Sequence, residues 1–205
     1  MSASVDRVFY INLERRPERR TAVEDELRKV GLLENAERFQ AVDTSTFGIL
    51  GCGLSHLAVL KTAKARGYRN VLIVEDDLVF LVEKEELEQS LRELFDSKLE
   101  FGVCMLAYNL VESEPVAGHD FLQRVKKAHT AAAYLVAASL FDPLIELYEG
   151  AMPLLESTRQ HWIYANDQIW TSLQREGNWY CFSKRIARQA PGWSDNAQAV
   201  IDHGC

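Results

Sequence analysis

The sequence has little of what would mark a secreted, disordered or polyanion-binding chain. Its four cysteines, at positions 52, 104, 181 and 205, include no C-x-x-C pair, so neither zinc-ribbon spacing nor a small disulfide scaffold is present. Five prolines and eleven glycines in 205 residues are too few for a collagenous or low-complexity chain, and 47% hydrophobic residues suffice for a packed core. Positive charge is in deficit. With 23 Lys and Arg against 30 Asp and Glu, the net charge is −7. A general nucleic-acid binder needs a basic face to release counterions, so that class is excluded, although a small basic pocket for a phosphorylated ligand is not. Long apolar runs are also missing. The most apolar stretch, 128–141, is interrupted by His129, Thr130, Tyr134 and Ser139 and is too short to span a bilayer. The first residues lack the charged-then-apolar layout of a signal peptide. The expectation is a single domain over 1–205, cytoplasmic and without a membrane span.

What is present is an alternation of strand-like and helix-like segments. Val8-Phe9-Tyr10-Ile11 reads as a buried strand, and Pro17 suits the first turn of a helix carrying Val23, Leu27 and Val30, stopped by Gly31. A second strand is expected over 38–42. Ser55 is placed to cap a helix bearing Leu57 and Leu60 that ends near Gly67. Val71-Leu72-Ile73-Val74 is the clearest strand, aliphatic throughout and therefore buried on both faces. A helix with Leu87, Leu91, Leu94 and Phe95 comes next, then strands over 101–108 and 131–137. Asp142-Pro143 opens another helix, Asn166 or Asp167 a further one, and Trp179 to Phe182 a last strand. This pattern predicts an α/β fold with a largely parallel central sheet flanked by helices. Ligands of such sheets gather beyond the carboxyl ends of the strands, which directs attention to the residues just after Ile11, Val74 and Tyr108.

Four segments carry chemistry-bearing residues. Arg15, Arg16, Arg19 and Arg20 crowd the start of the first helix, suited either to phosphate oxygens or to a solvated face shared with Glu14, Glu18 and Glu24. Gly51-Cys52-Gly53-Leu54-Ser55-His56 combines glycines that allow close backbone approach with Ser55 and His56 at a helix start. The alternative is a turn with an N-cap. Glu75-Asp76-Asp77 places three carboxylates at the end of an apolar strand, where they repel one another and resist burial. A hard divalent cation, Mn²⁺ or Mg²⁺, completed by a nucleotide diphosphate, would resolve that repulsion; an exposed acidic loop is the alternative. Asp167 sits at a helix start, where an N-cap role is the ordinary one.

In this order, the pieces resemble glycosyltransferase family 25, which includes lipooligosaccharide galactosyltransferases and collagen hydroxylysine galactosyltransferases. The residues carrying the resemblance are Tyr10-Ile11-Asn12-Leu13 with the arginine segment, Gly51 to His56, Val74 to Asp77, Ala133-Tyr134-Leu135-Val136, Asp167 and Ser194-Asp195. The resemblance implies a GT-A-like nucleotide-sugar-binding fold, with a donor-binding part at about 1–110 and an acceptor-side part at about 111–205. It also implies a UDP-hexose donor, galactose above all, and Mn²⁺ dependence. Asp77, with Asp76, would ligate the metal, while Glu75 or Asp76 meets the ribose or a metal-bound water. Asn12 and Leu13 would lie near the nucleotide, Arg15 and Arg19 near phosphate, and Ser55 and His56 along the donor site. Two departures stand out: Leu106-Ala107-Tyr108 replaces the Leu-Gly of many relatives, and the chain stops soon after Asp195, without the basic tail of many bacterial members.

The implied activity is metal-assisted transfer of a hexose to a hydroxyl of a glycan, lipid-linked saccharide or protein, with inversion. Asp167 is the expected base, beside Trp162 and Tyr164 as a stacking pair for a sugar; His129 and Asp195 are alternatives, and His203 is a further metal ligand to consider. Two rival readings are a catalytically silent nucleotide-sugar-binding module and a UDP-sugar hydrolase.

Overall fold

The computed structural model describes residues 4–194 and 199–201. Strand β1 (Arg7–Asn12) leads into α1 (Pro17–Lys29), β2 (Ala36–Gln40) and α2 (Gly48–Ala65). Strands β3 (Asn70–Glu75) and β4 (Leu78–Phe80), helix α3 (Lys84–Asp96) and strand β5 (Val103–Met105) come next. A hairpin of β6 (Asn109–Pro115) and β7 (Leu122–His129) precedes β8 (Ala133–Ala137) and the long helix α4 (Phe141–Thr158). Short helices α5 (His161–Tyr164), α6 (Asn166–Ile169) and α7 (Thr171–Glu176) lead to β9 (Trp179–Phe182), β10 (Ala187–Gln189), β11 (Gly192–Ser194) and β12 (Ala199–Ile201).

Eight strands form one sheet in the order β2-β1-β3-β8-β5-β9-β7-β6. β1 pairs parallel with both β2 and β3, and β5 pairs parallel with β9. β8 runs antiparallel between β3 and β5, and β7 runs antiparallel between β9 and β6. The strands β2, β1, β3, β5, β9 and β6 therefore point one way, with β8 and β7 reversed. Side chains alternate between two apolar layers with the period of two that a doubly covered strand requires. Phe9, Ile11, Val71 and Ile73 join Leu57 and Leu60 of α2 and Leu144 and Tyr148 of α4 on one face. Val8, Tyr10, Leu72 and Val74 join Val23 and Leu27 of α1 and Leu87 and Leu94 of α3 on the other. Among the described residues no helix is long and apolar enough to cross a membrane.

Most expected elements are found, with two instructive differences. The hairpin β6–β7 is absent from the sequence reading because β6 has no apolar alternation; Glu112 and Glu114 line an exposed sheet edge, charges of the kind that keep an edge from pairing further. Helix α2 begins at Gly48, well before Ser55, so the Gly51 to His56 segment lies inside the helix rather than ahead of it. Its glycines accommodate protein rather than ligand. A Cβ on Gly51 would fall 2.4 Å from the Val42 carbonyl oxygen, and one on Gly53 would fall 2.3 Å from Met152 Sδ. Ser55 is fully buried and bonds back to the Gly51 carbonyl (2.6 Å) while accepting the Val42 N–H (2.8 Å), tying the β2–α2 loop to the helix.

Gly51→Ala should therefore destabilise the fold by about 1–3 kcal/mol, because a backbone carbonyl cannot move aside as a flexible side chain can. Gly150→Ala on the open face of α4, where nothing lies within 4 Å, should instead stabilise by about 0.5–1 kcal/mol. Urea unfolding of the pair checks both signs.

Candidate active site

The carboxyl ends of β1 and β3 lie side by side, and the acidic run leaves β3 at that edge. Each of its three carboxylates meets a different set of partners. Glu75 Oε1 lies 3.1 Å from His56 Nε2 and 3.6 Å from Cys52 Sγ. His56 is fully buried, and its other ring nitrogen, Nδ1, lies 2.9 Å from the Tyr134 hydroxyl. Burial works against charge on Glu75, yet the His56 imidazole and the Cys52 thiol outweigh it and hold the carboxyl below its ordinary range. Asp76 accepts from Asn12 Nδ2 at 2.7 Å and from Arg19 Nη1 at 3.1 Å. Burial pushes Asp76 upward, with Asn12 and Arg19 acting in opposition.

Asp77 is the least satisfied of the three. Its Oδ2 accepts from Arg19 Nη1 at 3.3 Å and Gln189 Nε2 at 3.1 Å. Its Oδ1 is buried with no hydrogen-bond partner among the described residues. Burial, followed by the charge of Glu75, raises its pKa to about 7. A buried acceptor with nothing to accept, flanked by two more carboxylates, is a position that a hard divalent cation of the Mn²⁺ or Mg²⁺ type would suit, with Asp77 and Asp76 the residues that could hold it.

The arginine segment divides between the two roles open to it. Arg15 pairs with Asp43 at 2.9 Å, Arg16 with Glu18 at 3.2 Å and Arg20 with Glu24 at 2.9 Å, the pairs of a solvated helix start. Arg19 instead reaches the acidic run. Asn12 is 1% exposed, and its side chain is wholly engaged: Nδ2 also donates to the Arg16 carbonyl, and Oδ1 accepts from Arg38 Nε at 3.1 Å. Leu13 is half-buried, and its carbonyl accepts the Arg16 N–H.

Asp167 lies in α6, where Ala165 rather than Asp167 occupies the N-cap. Its Oδ2 accepts the Thr130 N–H at 3.3 Å and lies 3.7 Å from His129 Nδ1, while Oδ1 accepts from Gln168 Nε2 at 3.3 Å. Thr130 has φ +88°, a strained conformation for a β-branched residue, at the turn from β7 to β8. The neighbouring Asn166 donates to Cys52 Sγ at 3.1 Å, so the Asp167 helix and the Glu75 cluster meet through one side chain. Of the aromatic pair, Trp162 is 63% exposed, whereas Tyr164 packs against the core. Asp195 and His203 lie outside the described residues.

The sequence does not mark Arg38, Cys52, Gln189 or Asn166 individually as site residues. Arg38 and Gln189 carry no local signal, since they arrive on β2 and on β10, which pairs with β4. Cys52 and His56 are four apart on one helix face, and that spacing becomes informative once the helix is known to start before them.

The raised Asp77 makes the cation-free protein pH-sensitive. Its carboxyl ionises near pH 4 in the unfolded chain and at about 7 in the fold, so the native state binds the extra proton between these limits. Stability from this group is full below about pH 4 and is lost as pH rises through about 7. Mn²⁺ should therefore raise Tm much more at about pH 8 than at about pH 5.5, where it competes with that proton. Differential scanning fluorimetry at the two pH values measures the difference.

No protein-family model matches the chain. Two curated relatives, each described as a glycosyltransferase 25 family member, align with 38% of the chain. The one from Drosophila melanogaster is 34% identical, and the one from Drosophila pseudoobscura pseudoobscura is 33% identical. The alignments cover 17% and 16% of those proteins, so the chain spans about a sixth of the length of the curated relatives it matches. Among solved structures, mannose-1-phosphate geranyltransferase from Thermus thermophilus shares the fold. Its TM-score is 0.53 at 9% identity, covering 92% of this chain and 75% of that one. Over part of its length the chain is thus similar in sequence to glycosyltransferase family 25 members, and its α/β layering is shared with the Thermus thermophilus enzyme.

Proposed function

We propose that this chain is a glycosyltransferase unit that moves a hexose, galactose in the first instance, from a UDP-sugar to a hydroxyl acceptor with inversion at the anomeric carbon. The observation that carries the proposal is the unpartnered, buried Asp77 Oδ1 at the carboxyl end of the parallel β1–β3 pair, where α/β sheets take their ligands. The similarity to family 25 members supplies the reaction class. The donor-binding part, about 1–110, would contribute Leu13, Arg19, Glu75 and Asp76, positioned by the buried Asn12, Ser55 and His56, whereas Arg15 is held by Asp43 at the solvated start of α1. The part at about 111–205 contributes Asp167 and the acceptor side.

Asp77 and Asp76 would hold the cation. Bound Mn²⁺ or Mg²⁺ would supply positive charge against that developing on the departing diphosphate. Arg19 supplies the same from the protein, on a guanidinium already fixed by two carboxylates and needing no reorganisation. Asn12, clamped on three sides, sets the β1 end against which a nucleotide would lie. Ser55 acts by fixing the β2–α2 loop, and His56 by orienting Glu75.

In the transfer, the acceptor oxygen bonds to the anomeric carbon as the bond from that carbon to the diphosphate oxygen breaks, with the electron pair leaving on UDP. The acceptor proton passes to Asp167, whose carboxylate is aimed by the Thr130 N–H and Gln168. Exposed Trp162 offers a ring face on which an acceptor sugar would stack.

A UDP-release screen across UDP-hexoses, with and without Mn²⁺ and acceptor saccharides, tests this reading. Asp77→Ala should cut turnover on the order of a hundredfold or more, and Asp167→Asn by about 10²–10⁴ with the donor KM preserved. Unchanged turnover in Asp77→Ala would remove the cation assignment. Unchanged turnover and pH profile in Asp167→Asn would remove the base.

A further inference from the structure

We infer that Cys52, His56 and Glu75 form a second cation site, built for a borderline-soft divalent ion such as Zn²⁺ and distinct in chemistry from the hard Asp76–Asp77 pair. One ligand atom from each residue, Sγ, an imidazole nitrogen and a carboxylate oxygen, lies within 4.8 Å of the other two. Zinc binds sulfur at about 2.3 Å, imidazole nitrogen at about 2.0–2.1 Å and carboxylate oxygen at about 2.0–2.2 Å. Tetrahedral angles then put nitrogen and oxygen about 3.4 Å apart, and sulfur and oxygen about 3.6 Å apart. The observed separations are 3.1 Å from His56 Nε2 to Glu75 Oε1 and 3.6 Å from Cys52 Sγ to Glu75 Oε1. The sulfur–oxygen separation matches, the nitrogen–oxygen pair would open by a few tenths of an ångström, and all three atoms already lie within 4.8 Å of one another. Thiolate, imidazole and carboxylate together form a donor set that zinc takes and that Mn²⁺ or Mg²⁺ does not favour.

The surroundings are those of a metal site rather than of three residues in casual contact. The Tyr134 hydroxyl at His56 Nδ1 fixes the ring so that Nε2 faces the cluster. Asn166 aims Nδ2 at Cys52 Sγ at 3.1 Å, an N–H donor placed as a thiolate would want it. Asn166 is itself 7% exposed, and its Oδ1 has no partner among the described residues. His56 is wholly buried, while the Glu75 side chain is 22% exposed, so solvent reaches the cluster from the Glu75 side and water can complete the fourth position. The two donor atoms on α2 come from residues four apart, so the helix itself holds their spacing.

Loading is balanced simply. Burial, followed by the charge of Glu75, pushes the Cys52 thiol up in the ion-free protein, so its proton leaves to solvent only as the ion arrives and binds the sulfur. His56 changes tautomer: the Nε2 proton given to Glu75 Oε1 in the ion-free protein leaves, Nδ1 takes one in its place and donates it to the Tyr134 oxygen, and Nε2 binds the ion with no net change in protons at the ring. Glu75 binds as the carboxylate. One proton is released per ion.

Co²⁺ titration of the full chain tests the site, because a cobalt–thiolate bond adds a strong near-ultraviolet charge-transfer band that oxygen ligands do not produce. The expected result is that one Co²⁺ per chain gives that band with tetrahedral visible bands and is displaced by Zn²⁺, while Co²⁺ taken by Asp76–Asp77 adds no thiolate band. The spectrum should persist in Asp77→Ala and disappear in Cys52→Ser, and Glu75→Gln should weaken Zn²⁺ binding by at least about tenfold. Wild-type protein that stays folded and shows no thiolate–cobalt band would overturn the inference, leaving a hydrogen-bonded cluster only. The same conclusion would hold if Cys52→Ser kept the band. The wild-type spectrum decides the matter even if a variant fails to fold.

Discussion

Three adjacent carboxylates at the mouth of a buried strand are the constraint around which this end of the molecule is organised. In a poorly solvated site, each unpaired charge costs several kcal/mol, and neighbours of like sign add to that cost. Every element that reaches the strand end brings something to offset it. β1 brings Asn12, α1 brings Arg19, α2 brings Cys52 and His56, and β10 brings Gln189. The offset is nearly complete at Glu75 and Asp76. It is incomplete at Asp77, where one oxygen has no partner among the described residues and the proton is held to about pH 7.

Asp77 Oδ1 is not alone in this, since Asn166 Oδ1 and the polar atoms of Tyr148, Trp170 and Trp179 are also buried without partners among the described residues; what sets Asp77 apart is that its orphaned atom belongs to an ionisable carboxylate between like charges. Asn12 uses both ends of its amide, Ser55 donates and accepts, and His56 engages both ring nitrogens. An orphaned carboxylate oxygen costs far more than an orphaned indole or hydroxyl, which is why the Asp77 atom is the one that calls for a cation. The unpartnered Asp77 oxygen and the strained Thr130 peptide beside Asp167 lie on the two sides joined by the Asn166–Cys52 contact. On the proposed reading, these two sides would be the donor and acceptor subsites, joined by one polar seam as transfer between two ligands requires.

Much of this is legible in the sequence because it depends on local pattern. The aliphatic run Val71 to Val74 predicts a doubly buried strand, Pro17 marks the first turn of α1, and Glu75-Asp76-Asp77 after such a strand signals a site on elementary electrostatics. Other features depend on partners far away in the chain. Nothing near Gln189 indicates that β10 will pair with β4 and deliver its amide to Asp77. The start of α2 is not legible because Gly51 and Gly53 read as a loop, whereas they are small to admit the Val42 carbonyl and Met152. That reading also hides the helical spacing of Cys52 and His56. The hairpin β6–β7 escapes detection because an exposed edge strand has no apolar face to betray it.

The central claim is that Asp77, with Asp76, holds a divalent cation that helps bind a nucleotide diphosphate. Calorimetric titration of the full chain with UDP at about pH 8, with and without Mn²⁺, tests it without any need to know the acceptor. The account predicts at least about tenfold tighter UDP binding with Mn²⁺, about 1.4 kcal/mol or more, and loss of that gain in Asp77→Ala. Equal UDP affinity in the presence and absence of Mn²⁺ would contradict it.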